Sequence, residues 1–242
     1  MVSDETDLVF TSNRGEKTVG IFRHGQEEDL EKVTVGGYPN GLAFDPRHHH
    51  LLPANVPKPN DSSLVTSSIV DTASRNLIAD IIVPGRTRWT IFDEKSGRFY
   101  VNIAKPPKVV AIDSSDPDGI VASYDIPGVG PHGLDLDSAR RRLFCACDDG
   151  QLYTVELVTG KVVRAASLSG APDVIFHNAK KNRLYVAVGH PGVIDIINTD
   201  NMSVLQKVTT ELGAHTIAYD PELSKVYAFL PGSHRASVYL DT

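Results

Sequence analysis

One short segment recurs five times along this chain of 242 residues, and it narrows the available folds more than any other feature. It reads GGYPNGLAFD (36–45), GRTRWTIFD (85–93), GVGPHGLDLD (128–137), SGAPDVIFHN (169–178) and ELGAHTIAYD (211–220). Each copy has a small or turn-forming start, one polar residue, a short mostly apolar run, and Asp or Asn to finish. Aligned on that last residue (Asp45, Asp93, Asp137, Asn178, Asp220), the copies lie 48, 44, 41 and 42 residues apart. A period of about 40 to 50 residues is that of a propeller or a solenoid.

A second repeated unit starts five residues after each terminal Asp or Asn. There a basic residue opens an apolar strand: His50, Arg98, Arg142, Arg183 and Lys225. A turn and an alternating strand follow, and period-2 patterns bounded by Gly, Pro, Asn and Asp read as hairpins. A further strand (EKVTVGG, NLIADIIV, IVASYDI, KVVRAASL, VLQKVTT) then leads into the next copy. Four short strands per period make one propeller blade. Second-plus-third strand pairs start at Leu8, Leu51, Phe99, Leu143, Leu184 and Val226, six in all, whereas first and fourth strands number five each. The expectation is an all-β chain forming a single domain over 1–242. It is a β-propeller of six four-stranded antiparallel blades, with one inner and one outer strand incomplete, or else part of a seven-bladed ring. No segment shows a helical period. Glu27–Lys32 fits a turn of helix but reads rather as a solvated loop, His48 to His50 as a surface turn, and 53–63 (PANVPKPNDSS) as an extended loop on one rim.

Composition limits the partners. A net charge of −6 without a basic run gives nucleic-acid binding little electrostatic support. No apolar stretch is long enough for a membrane-spanning helix. The acidic N-terminus lacks the layout of a secretion signal, which reads as cytoplasmic, or as secreted if a signal was removed. Cys145 and Cys147 sit two apart on one strand, share a face, and read as buried free thiols.

The first strand of a blade lines the channel, so positions shared by the five copies point to one place. Five residues before the terminal Asp or Asn stand Asn40, Arg88, His132, Asp173 and His215. All five are polar within an otherwise apolar motif. They predict a polar ring at one channel mouth, either a merely solvated opening or a binding pocket for a small-molecule ligand. Two histidines and a carboxylate, His132, Asp173 and His215, form the set that holds iron or zinc, so one reading places a divalent metal there. The metal-free reading makes one His a general base, with Arg88 holding a carboxylate or oxyanion and Asn40 donating a hydrogen bond. Trp89 packs between blades or stacks on a ligand. His177 occupies an apolar slot and reads as a hydrogen-bonded core histidine, while His190 and His234 read as exposed turn residues. No nucleophile elbow, P-loop, dinucleotide fingerprint or HExxH helix occurs.

The stretch RLYVAVGHPGVIDIINTDNMSVLQKV (183–208) resembles the YVTN/YncE-like propeller repeats. So do LVFTSNRGEKTVGIF (8–22), FYVNIAKPPKVVAID (99–113) and the PNGLAFD and PHGLDLD segments. The resemblance implies a propeller similar to lactonase-like, streptogramin-lyase-like and quinoprotein-related proteins, a set that includes members without known activity. The leading expectation is a small-molecule enzyme acting on an ester, lactone or related carbonyl compound by hydrolysis, elimination or isomerisation. His132, His215 and Asp173 are its candidate catalytic residues, and Asn40, Arg88 and Trp89 its substrate-binding ones. The alternative is a non-catalytic propeller that binds a protein or ligand on a rim, loop 53–63 included.

Overall fold

The computed structural model describes residues 1–57 and 64–241. The fold is that of an all-β, six-bladed β-propeller built from antiparallel sheets. Two compact units divide the chain, Met1–Asp125 and Ile126–Thr242. In the first unit, blade 1 holds β1 (Val2–Ser3), β2 (Leu8–Asn13), β3 (Thr18–Arg23) and β4 (Glu31–Thr34). Blade 2 holds β5 (Tyr38–Asp45), β6 (His50–Val56), β7 (Thr66–Asp71) and β8 (Asn76–Ile82). Blade 3 holds β9 (Thr87–Asp93), β10 (Arg98–Ile103), β11 (Lys108–Asp113) and β12 (Ile120–Asp125). In the second unit, blade 4 holds β13 (Pro131–Asp137), β14 (Arg142–Cys147), β15 (Gln151–Glu156) and β16 (Val162–Ser167). Blade 5 holds β17 (Pro172–Asn178), β18 (Arg183–Val188), β19 (Val193–Asn198) and β20 (Val204–Thr209). Blade 6 holds β21 (Ile217–Asp220), β22 (Lys225–Leu230) and β23 (Arg235–Leu240). Within each blade, successive strands are neighbours in the sheet.

The two incomplete strands fall where the repeat places them. The first strand of blade 1 is reduced to Val2–Ser3, paired with Val9 and Leu8, and the Met1 amino group donates to Phe10 O at 2.9 Å. Blade 6 has three strands among the described residues. A turn of 3-10 helix at Glu27–Asp29 stands where a loop was expected.

The stretch 53–63 needs correcting. Residues Pro53 to Val56 belong to strand β6 and are buried, so they form no rim loop. Pro53 faces Leu42 beside an irregularity in the β5–β6 register, and β6 pairs with β7 on either side of it. A residue without an N–H is tolerated at such a break. Residues 58–63 of the expected loop lie outside the described residues.

Burial grades across each blade. Second strands such as β10, β14 and β18 are buried from their second residue onward on both faces and are accordingly apolar along that length, Asn102 of β10 excepted. Outer strands such as β20 are mostly exposed. The core lies between neighbouring blades. Leu52, Ile69 and Ile81 of blade 2 pack with Phe99, Val101 and Ile112 of blade 3. Phe144 and Leu152 of blade 4 pack with Leu184, Val186 and Ile197 of blade 5. Full burial of one such side chain contributes about 1.5 to 3 kcal/mol.

The Asp or Asn that ends each motif has a local task. Its side-chain oxygen accepts from the backbone of the turn that follows: Arg47 N to Asp45 at 2.9 Å, Arg140 N to Asp137 at 3.0 Å, Glu222 N to Asp220 at 2.9 Å. A short carboxylate or amide that caps its own turn is the reason only Asp or Asn appears there. In blades 2, 4 and 5 the residue five positions later reaches the next blade. His50 Nδ1 donates to Ser114 O at 2.7 Å, Arg142 Nη2 to Thr199 O at 2.6 Å, and Arg183 pairs with Asp241. At these three copies the spacing of five is therefore a clasp between blades.

Candidate functional site

At the start of the first strands in the second unit, three of the predicted site residues converge. His132 opens β13, Asp173 opens β17, and His215 lies two residues ahead of β21. The arrangement is a chain of hydrogen bonds. Asp148 Oδ1 lies 2.8 Å from His132 Nδ1, and His132 Nε2 lies 3.1 Å from Asp173 Oδ1. Asp173 Oδ2 in turn lies 2.6 Å from His215 Nδ1. Ionised carboxylates only accept, so His132 satisfies both neighbours when each ring nitrogen carries a proton. His215 presents its donor to Asp173, which leaves Nε2 with no hydrogen bond among the described residues. Its side chain is 54% exposed, against 20% for His132.

Burial pushes the Asp173 carboxyl upward, but hydrogen bonds and charge from His132 and His215 outweigh it and hold Asp173 below its ordinary range. Asp173 is thus a firmly ionised anchor between two imidazoles. Partly exposed pairs of this kind contribute about 1 kcal/mol or less each to stability. The cluster is a poor means of holding blades together, which argues for a role in binding or chemistry.

The cluster borders a depression of about 650 Å³, lined also by Ser169, Gly170, Gly189 and His190. Its floor is fixed by Asp195, fully buried in β19, which accepts from Ser169 N and Ser169 Oγ, both at 2.7 Å. Gly130 has φ of +63°, and a Cβ there would sit 2.5 Å from Asp148 Oδ2, so only glycine lets that carboxylate close on His132. Among the described residues, no group of three or more His, Cys, Asp or Glu is arranged to hold a metal ion. Both ring nitrogens of His132 and Nδ1 of His215 are instead committed to carboxylates.

Asn40, Arg88 and Trp89 belong to the first unit, on the neighbouring first strands β5 and β9. There Gly41 packs against the backbone of Arg88 and Trp89, Asn40 is exposed, and Ser12 Oγ donates to Asn40 O at 2.8 Å. Sequence reading missed Asp148, which follows β14 in a DDG turn without any repeated partner. It also undervalued His190, which is exposed as expected yet lines the depression. Both lie just after second strands, and aligning those turns with the polar column would have raised them. His234 and the buried free thiols Cys145 and Cys147 stand as expected.

No protein-family model matches this chain, and no curated protein does. Among solved structures it is similar to hydrazine synthase of Kuenenia stuttgartiensis, with a TM-score of 0.64 and 15% identity. That match covers 100% of this chain and 94% of the other. At such identity the likeness is one of fold. No helix among the described residues is long and apolar enough to cross a membrane.

Proposed function

We propose that the chain is a small-molecule enzyme of the YVTN/YncE-like propeller kind. It acts on an ester, lactone or related carbonyl compound by general acid–base chemistry in the depression beside His215. The observation that carries this is the His215 ring, exposed, held at Nδ1 by an ionised Asp173, and bare at Nε2. A carboxylate behind one imidazole nitrogen fixes tautomer and orientation, so the other nitrogen takes a proton from water or from a carbon next to a carbonyl. The imidazolium that forms stays opposite Asp173, which stabilises it.

The two histidines have different tasks. His132 has both ring nitrogens engaged, so it touches no substrate and acts by positioning Asp173. Asp148 extends that support from behind.

Turnover of a panel of aryl esters and γ- and δ-lactones, followed by proton release, tests the reading. His215→Ala should lower kcat by about 10²- to 10⁴-fold, the usual worth of a general base. Its stability should stay within about 0.5 kcal/mol of the parent. Asp173→Asn should lose activity to a comparable degree, and His132→Gln less. Full activity in His215→Ala, or no turnover of any carbonyl compound by the parent, sinks the proposal.

A further inference from the structure

Beside His215, another imidazole reaches the depression on a turn that is held from both sides. The turn, 189–192, follows β18, and Gly192 N donates to Val188 O at 3.2 Å to close it. From the link ahead of β21, Gly213 N donates to Gly189 O at 2.7 Å and Thr210 N to Gly192 O at 2.9 Å. From the link ahead of β17, Gly170 packs so closely that a Cβ there would stand 2.3 Å from His190 O. Only glycine allows backbone to approach backbone in that way. The backbone that carries His190 is therefore fixed by the same two links that lead into Asp173 and His215.

His190 is exposed and lines the depression together with His215. Its ring makes no hydrogen bond, ion pair or ring contact among the described residues. The three histidines of the depression thus differ: His132 is held at both ring nitrogens, His215 at Nδ1, and His190 at neither. Gly189 takes the place that Asp148 has in blade 4, first after the second strand. A Cβ there would stand 3.2 Å from the His215 Cβ, so the turn passes close to His215 yet puts no side chain over it. The next residue, His190, has its Cα within about 9 Å of that same Cβ. Two imidazoles on one depression, one backed by a carboxylate and one unpaired, are the arrangement of a base and an acid.

We propose that His190 is the general acid that protonates the leaving oxygen, and that the substrate is a carboxylic ester or lactone whose leaving group is an alkoxide. The pair works only with His215 as the base, and the assignment rests on that reading. First, the oxygen of water bonds to the carbonyl carbon while His215 Nε2 takes one water proton, and the carbonyl π pair moves to its oxygen. That pair then returns, the bond to the leaving oxygen breaks, and its electrons stay on that oxygen, which takes a proton from the His190 imidazolium. Solvent removes the proton from His215 and returns one to His190, so ester and water leave as carboxylic acid and alcohol. A nitrophenolate departs unaided, whereas an alkoxide is too basic to leave without a proton, and there an acid acts.

Parent, His190→Gln and His215→Ala are compared on esters of one carboxylic acid, graded from nitrophenyl to simple alkyl and followed by proton release. His190→Gln should lose about 10²-fold or more in kcat/KM on the alkyl esters and about tenfold at most on the nitrophenyl ester, so its loss grows with the basicity of the leaving oxygen. His215→Ala should lose activity across the whole series. His190 is exposed, and an unchanged melting curve shows that His190→Gln folds. A loss at His190→Gln that is equal on every ester makes the residue a substrate contact and overturns the assignment, as does no loss on any. Either result leaves His215 as the base. A parent that turns over none of the esters, or a fully active His215→Ala, sinks the base and this assignment with it.

Discussion

His177 stands where the sister copies place Phe44, Phe92, Leu136 and Tyr219, and it behaves as a residue in an apolar slot should. Its ring lies 5.2 Å from Phe144 and Nδ1 donates to Leu136 O at 3.2 Å, but Nε2 is buried with no hydrogen-bond partner among the described residues. Burial lowers its pKa against the pull of Asp137, so the ring is held neutral. Its share of stability is present above about pH 6.5 and is lost as pH falls further, because the unfolded chain takes the proton more readily. Asp135, two residues ahead of the blade 4 motif's last Asp, runs the other way. Protein atoms crowd its carboxyl and burial pushes it up to about 6, against acceptance from His177 N and Leu136 N. A folded-state value above the unfolded one favours the fold below about pH 4 and loses that advantage as pH rises through 6. Asp135→Asn should therefore gain on the parent by up to roughly 3 kcal/mol between pH 4 and pH 7.5, measured as paired melting curves. A constant difference across that range would show that Asp135 does not titrate where its surroundings place it. The sequence marked His132, Asp173 and His215 as polar where sister positions are also polar, and so as candidates. It gave no such mark to Asp135, whose sister positions are Ala43, Ile91, Phe176 and Ala218.

Among elements, the hairpin between first and second strands repeats most faithfully. The residue before the second strand has positive φ in every blade: Asp7, His49, Arg141, Asn182 and Ser224, with Gly97 in blade 3. A left-handed residue there closes the turn that Asp or Asn has begun to cap. Nothing lies within 4 Å of where a Cβ on Gly97 would stand, so any penalty for substitution is the backbone's alone. Gly97→Val should cost about 1 to 2 kcal/mol, and Gly97→Asn clearly less, since asparagine tolerates this region. Urea unfolding of the two variants checks it, and equal costs would mean the turn refolds around them. Element types were legible because strand periodicity and turn residues alternate so regularly. The end of β6 was legible only in part: HLLPANV keeps the register of the other second strands, yet PANV carries a proline and precedes a run that looks like loop. The strand character of PANV comes from pairing with Leu42, Pro39 and Tyr38 on one side and Ser67 on the other.

At the scale of the molecule, stability rests on apolar cores between blades and on the clasp that repeats beside them. The last clasp is the most heavily built. Asp241, only 4% exposed at its side chain, accepts from Asn178 Nδ2 at 2.9 Å and is held by Arg183, Tyr185 and Lys181 of blade 5. Asp241→Ala leaves that cluster without its anion and should cost roughly 2 kcal/mol or more. Hydrogen exchange should show the amides of β21 to β23 losing protection before those of β17 to β19, as a locally opening unit does. Uniform loss would place the clasp in the global stability instead. The amino-acid sequence alone determined the period, the four-strand unit, the turn chemistry and the buried strands, because each depends on residues close in the chain. Tertiary structure decided which polar side chains meet. That His132 joins Asp173, and Asp173 joins His215, follows from neighbouring blades bringing residues some 40 positions apart within hydrogen-bond reach, and Asp148, 16 positions from His132, meets it only through the turn after β14. No local pattern encodes distances of that kind.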